Sequence, residues 1–228
     1  MRFMFVGDSQ TIGRAGDYTW RYRMWQHLDT AFPGPYEIVG PRTGLYETAA
    51  DAPVSHRYAD PAFPAPARRH LSGWGEGWLH MAPLIREAVT AQRADVLLVA
   101  LGLIDLGFYT NSDQTSENVH AFVAGARAAN PHVRAVLLPV IPNIRARDDA
   151  PFAAECARFN ELLAKAVADL DEPGSPLLLA SVPESYDIDT DTYDGTHPGP
   201  TGEHKLAAAF ATAMHQAWGL GGPYVPRA

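Results

Sequence analysis

Residues 1–13 read MRFMFVGDSQTIG, an apolar run that stops abruptly at a small polar turn. Residues 3–6 are continuously apolar rather than alternating, which is how a strand buried on both faces of a parallel sheet reads. Four further runs have the same character: 36–39, 95–101, 133–140 and 176–182. Helical patterns fill the intervals, at 17–31, 77–93, 115–130, 151–171 and 200–217. In the fourth, Phe152, Cys156, Phe159, Leu162, Leu163, Ala166 and Leu170 recur at helical spacing and form one core-facing stripe. Strand alternating with helix five times predicts right-handed crossovers and a three-layer α/β/α sandwich around a five-stranded parallel sheet. One domain is expected over 1–218, with 219–228 as a loose tail rich in Gly and Pro. Residues 41–76 break the alternation. They are rich in Pro, Gly and Ala and far longer than the usual connection of about 4–6 residues, so they are expected to be either disordered or a functional loop over the site.

Composition narrows the class. Hydrophobic residues make up 46% of the 228 and charged residues 19%, enough apolar material for a core. A net charge of −8 argues against a nucleic-acid or anionic-membrane surface, both of which need basic clusters. Cys156 is the single cysteine; it excludes an intramolecular disulfide, gives no support to a thiolate metal site, and reads as a small buried residue. No metal or organic cofactor is expected. No apolar run approaches the roughly 18 residues of a membrane helix, and 3–6 is too short for the core of an export signal. A cytoplasmic location is the expectation.

Ser9 follows the first strand directly. In an open parallel sheet, ligands bind outside the carboxyl ends of the strands, so this turn faces the expected crevice. A serine there either caps the next segment or attacks an acyl carbon. The G-x-S-x-G elbow is absent. A nucleophilic serine needs a base and a group that orients it. Of the nine histidines, His197 alone has a recognisable partner: in DTYDGTHPGPTGEHK, Asp194 lies three residues upstream, with Gly195 allowing a tight turn. The segment sits after the last strand, on the same sheet edge as Ser9. An Asp-Gly turn with an incidental histidine is the competing reading.

These two segments carry a family resemblance. Gly7-Asp8-Ser9 with Thr11 and Gly13 is similar to the GDSxTxG block of the SGNH hydrolases, also called the GDSL esterase/lipase family. Asp194, His197 and Pro198 are similar to the family's DxxHP block. The resemblance covers nearly the whole chain and implies a flavodoxin-like sheet. It implies Ser9 as nucleophile, His197 as base, Asp194 as its orienting acid, and a small-molecule acyl ester as substrate. It also implies an oxyanion hole built from the Ser9 N–H, a loop glycine and an asparagine. In SGWGEGW the preferred glycine is Gly77, with Gly73 and Gly75 competing. The family's G-x-N-D block is altered here: Gly102-Leu103-Ile104-Asp105 puts Ile104 where the asparagine stands. An aliphatic side chain donates no hydrogen bond, so the expected oxyanion hole is atypical, with Asn111, Asn143 or the Trp74 indole as substitute donors. Asp105 is expected to support local backbone. Asp8 is expected to hold the turn and, with Trp74, Trp78 and Leu103, to border the substrate.

Three functions follow: hydrolysis of a carboxylic ester, transfer of the same acyl group to an alcohol or amine in specialised metabolism, and binding without catalysis on a degenerate esterase fold. Retention of Ser9, Asp194 and His197 favours catalysis, while Ile104 favours the third.

Overall fold

Sheet and helices share the carboxyl edge on which the candidate residues converge. The computed structural model describes residues 1–227. In chain order the strands are β1 (Arg2–Gly7), β2 (Glu37–Val39), β3 (Leu45–Glu47), β4 (Ala52–Ser55), β5 (Leu71–Ser72), β6 (Val96–Ala100), β7 (Arg134–Leu138) and β8 (Leu177–Leu179). The helices are α1 (Ser9–Ile12), α2 (Trp20–Ala31), α3 (Trp78–Gln92), α4 (Ser112–Ala129), α5 (Ile144–Asp148), α6 (Ala150–Leu170), α7 (Ile188–Asp191) and α8 (Pro200–Trp218).

The main sheet runs β2-β1-β6-β7-β8, parallel throughout, with β5 pairing alongside the end of β1. The five apolar runs are its five principal strands. The sixth, β5, has two residues, too few to leave a periodic signal. Alternate side chains of each strand serve opposite layers. Met4, Val6, Leu97 and Val99 pack with Trp78, Ile85, Phe122 and Phe159, so α3, α4 and α6 cover one face. Phe3, Phe5, Val96 and Leu98 pack with Trp20, Met24, Leu206 and Phe210, so α2 and α8 cover the other. Burial on both faces is why the strands are continuously apolar.

Residues 41–76 form an ordered excursion. It contains the antiparallel β3–β4 hairpin, a 3₁₀ turn at Ala65–Arg68 and β5. His70 is fully buried there, its ring bonded to the Gly44 carbonyl (3.1 Å) and the Ser72 hydroxyl (2.7 Å). Tyr58 and Phe63 are packed into the α2/α8 layer of the core. The segment expected to be a loose tail, 219–228, ends at Ala228, outside the described residues. Its earlier part is held: the Gly221 carbonyl accepts from His215 Nδ1 at 2.9 Å, and the Tyr224 hydroxyl meets His204 Nδ1 at 2.7 Å. No helix among the described residues is long and apolar enough to cross a membrane.

Candidate active site

β1 ends at Gly7, and the chain turns at once into α1. A Cβ on Gly7 would lie 2.0 Å from Thr11 Oγ1 and 2.8 Å from the Ala100 carbonyl, so only glycine permits this tight turn beside β6. Asp8 is the N-cap of α1, its carboxylate accepting from Gln10 N–H at 2.9 Å. Ser9 therefore stands at the first helical position, above the carboxyl edge of the sheet.

The second segment arrives from β8 through α7. Gly195 has φ +82°, the left-handed region that lets residues 194–197 close on themselves. Asp194 Oδ1 accepts from Thr196 N–H (3.0 Å) and His197 N–H (2.8 Å), and its Oδ2 lies 2.7 Å from His197 Nδ1. On the other side of the ring, His197 Nε2 lies 2.9 Å from Ser9 Oγ, across 188 residues of sequence. Gln10 Nε2 donates to the Thr196 carbonyl at 2.8 Å, tying the two turns together. Burial works to raise the Asp194 carboxyl. Hydrogen bonds from the His197 backbone and ring and from Thr196 N–H prevail and hold it below the usual carboxylate range. With Asp194 ionised, Nδ1 carries the proton and donates to it, which leaves the Nε2 lone pair facing the Ser9 hydroxyl.

The imidazole is also stacked. Trp74 lies parallel to it at 4.8 Å between centroids, Tyr46 stacks on Trp74 at 4.2 Å, and Tyr193 lies near-parallel to His197 at 5.6 Å. The Arg14 guanidinium sits 3.7 Å from the Tyr193 ring centre.

A cleft of about 410 Å³ opens beside Ser9 and His197. Its walls are largely apolar, from Trp74, Leu103, Ile104, Phe108, Tyr109 and Phe152, and its polar lining includes Asn143, Arg145 and Thr196. A depression of about 510 Å³ near Arg2, Trp25 and Glu37 lies at the opposite edge of the sheet, where β1 and β2 begin. No group of three His, Cys, Asp or Glu side chains among the described residues is arranged to hold a metal ion.

The remaining expectations fare differently. Trp74, Leu103, Ile104 and Gly75 line the cleft. Trp78 does not: it is fully buried, edge-to-face on Phe122, because it is the first residue of the core stripe of α3. Asp8 does not border the cleft either. It is 1% exposed beneath the turn, where burial, opposed by Gln10 N–H and aided by the Asp105 charge, raises its carboxyl to about 7. Asp105 supports backbone, accepting from Trp78 N–H (2.8 Å) and Leu79 N–H (2.9 Å) at the start of α3.

Of the three glycines, Gly77 N–H is engaged by His80 Nδ1 (3.1 Å) and Gly73 N–H by the Gly7 carbonyl (3.1 Å). Gly75 N–H and Ser9 N–H have no acceptor among the described residues. Asn111 caps α4 away from the cleft. Asn143 does line it, as N-cap of α5, with Oδ1 accepting from Ala146 N–H and Nδ2 donating to the Ile141 carbonyl. Arg145 and Phe108 were not singled out by sequence reasoning, and Phe152 was read only as part of the core stripe of the helix, whereas it also lines the cleft. The signal available was their position just after β6 and β7, at the same sheet edge as Ser9.

A GDSL-like lipase/acylhydrolase family model matches residues 5–205. The chain belongs to this family. No curated protein matches it. Solved structures with this fold include an acetyl esterase mutant with an acetate ion (TM-score 0.74, 23% identity, 95% of this chain and 97% of that one). A family 3 carbohydrate esterase from Talaromyces cellulolyticus is similar at TM-score 0.74 and 24% identity, over 95% and 97% of the two chains. A catalytic mutant of an acetylxylan esterase from Geobacillus stearothermophilus is similar at TM-score 0.65 and 14% identity, over 93% of each.

Proposed function

We propose that this family member is a serine esterase that cleaves a small-molecule carboxylic ester through an acyl-enzyme on Ser9. The observation that carries the reading is the unbroken hydrogen-bonded chain from Asp194 through His197 to Ser9 at the mouth of a cleft. In the first step the Ser9 proton passes to His197 Nε2 as Oγ attacks the carbonyl carbon. Asp194 holds the ring in the required tautomer and balances the imidazolium. The tetrahedral oxyanion is met by the two uncommitted N–H groups, Ser9 and Gly75, with Ile104 contributing nothing. His197 then protonates the leaving alkoxide, and water activated by the same imidazole releases the acid.

Transfer of the acyl group to an alcohol or amine would use the same acyl-enzyme. The apolar wall formed by Leu103, Ile104 and Phe152 favours that second reading, because it offers water no hydrogen-bond partner on that side of the intermediate. Both readings set aside a non-catalytic role, since an idle fold has no need of an aligned acid–base–nucleophile chain. Turnover of an aryl ester with a burst of released phenol tests the proposal. The burst should vanish in Ser9→Ala, and turnover that survives Ser9→Ala would overturn it. Adding alcohol or amine acceptors to the same assay separates hydrolysis from transfer by product analysis.

A further inference from the structure

Among the described residues, the cleft is lined by one permanent cation and by no carboxylate. Arg145 is the only Arg or Lys of those residues to line it, none of their Asp or Glu side chains does, and the chain as a whole carries a net charge of −8. A single positive group facing a largely apolar cleft attracts an anion locally, against the net negative charge of the molecule.

The guanidinium is exposed, and one hydrogen bond and two aromatic contacts orient it. Its Nη1 donates to the Gly107 carbonyl at 2.8 Å, its Cζ lies 4.1 Å from the Phe152 ring centre and 5.9 Å from that of Phe108. Arg145 forms no salt bridge among the described residues, whereas its neighbour Arg147 pairs with Asp148 and Asp189. Guanidinium has five N–H donors. One is spent on Gly107, so Nε–H and the Nη2 protons stay available as a pre-oriented fork, the geometry that suits a carboxylate. Phe108 is 73% exposed beside it, an apolar surface with nothing in the protein covering it.

We propose that Arg145 is a specificity-determining residue, and that the substrate is a monoanionic ester. Its apolar portion lies against Phe108 and Phe152, and its carboxylate is held by the Arg145 guanidinium. One guanidinium offsets one charge, which is why a carboxylate fits better than a doubly charged phosphate monoester. The inference rests on the serine-esterase reading of the same cleft.

Paired substrates test it. Umbelliferyl adipate and umbelliferyl hexanoate differ by a carboxylate on the acyl side; para-acetoxybenzoate and its carboxamide differ by one on the alcohol side. Rates are taken above the uncatalysed background. For at least one pair the wild-type kcat/KM should favour the anionic ester about tenfold or more, and raised salt should erode that ratio. Arg145→Gln should lower the anionic-to-neutral ratio by roughly 10–100-fold, the range expected for a charge-assisted hydrogen bond. Arg145→Lys, which keeps the charge but loses the fork, should retain part of the preference. If the wild type prefers the neutral ester in both pairs, or if Arg145→Gln leaves both ratios unchanged, this inference is wrong. Turnover of neutral esters without anionic preference sinks it alone. Absence of turnover on all four esters, together with a Ser9 that resists a fluorophosphonate, sinks the esterase reading and this inference with it.

Discussion

The Trp74 indole lies flat against the His197 imidazole, with centroids 4.8 Å apart and planes 12° apart. The contact joins the long 41–76 excursion to the catalytic histidine of the proposed mechanism. Its electrostatic sense is favourable: an indole face attracts the imidazolium that forms as Ser9 loses its proton, and such contacts are worth about 0.5–2 kcal/mol.

Trp74→Ala should therefore lower kcat for ester hydrolysis by roughly 2–30-fold. Trp74→Phe, which restores a π-face, should recover most of the loss. Steady-state kinetics on one aryl ester decide the matter. An alanine variant with unchanged kcat would show that the stack only fills space.

Ile104 removes a donor from the place where the family resemblance puts an asparagine. Loss of one oxyanion donor costs on the order of 10²–10³ in rate when nothing replaces it. Ile104→Asn should raise kcat for a simple ester, with the gain approaching that figure if Ser9 and Gly75 act alone. A variant that folds but gains nothing would point to Asn143, whose Nδ2 has one proton beyond its bond to Ile141, as the replacement.

Asp8 links the nucleophile turn to pH-dependent stability. Its carboxyl is raised from 3.8 to about 7, chiefly by burial. The folded protein thus holds this proton over a range in which the unfolded chain releases it. The stabilisation is present below about pH 4 and is lost as pH rises through about 7. Asp8→Asn cannot ionise. Its Tm should fall less than that of the wild type between about pH 5 and about pH 8 in matched thermal melts. Parallel Tm profiles for the two proteins would contradict the assignment.

The layered fold was legible because strands covered on both faces must be apolar throughout, and runs 3–6, 95–101 and 133–140 have no other economical reading. The β3–β4 hairpin and β5 were not legible. They are two to four residues long, in a segment where Gly and Pro erase periodicity. Asp194 and His197 could be paired because they lie within one tight turn, and their placement beside Ser9 could be read because both segments follow strands at the carboxyl edge of one parallel sheet. The sequence could not choose among Gly73, Gly75 and Gly77, since which N–H stays free depends on turn bonds to Gly7 and His80. Trp78 was misplaced for a reason visible afterwards. It begins the stripe Trp78, Met81, Ile85 and Val89, whose helical spacing turns it into the core.

Labelling of the folded protein with a fluorophosphonate, followed by peptide mapping of the adduct, tests the central claim most directly. The account predicts stoichiometric modification of Ser9, absent in Ser9→Ala and slowed by several orders of magnitude in His197→Ala. A folded wild-type protein that stays unmodified, or an adduct that persists in Ser9→Ala, would contradict it.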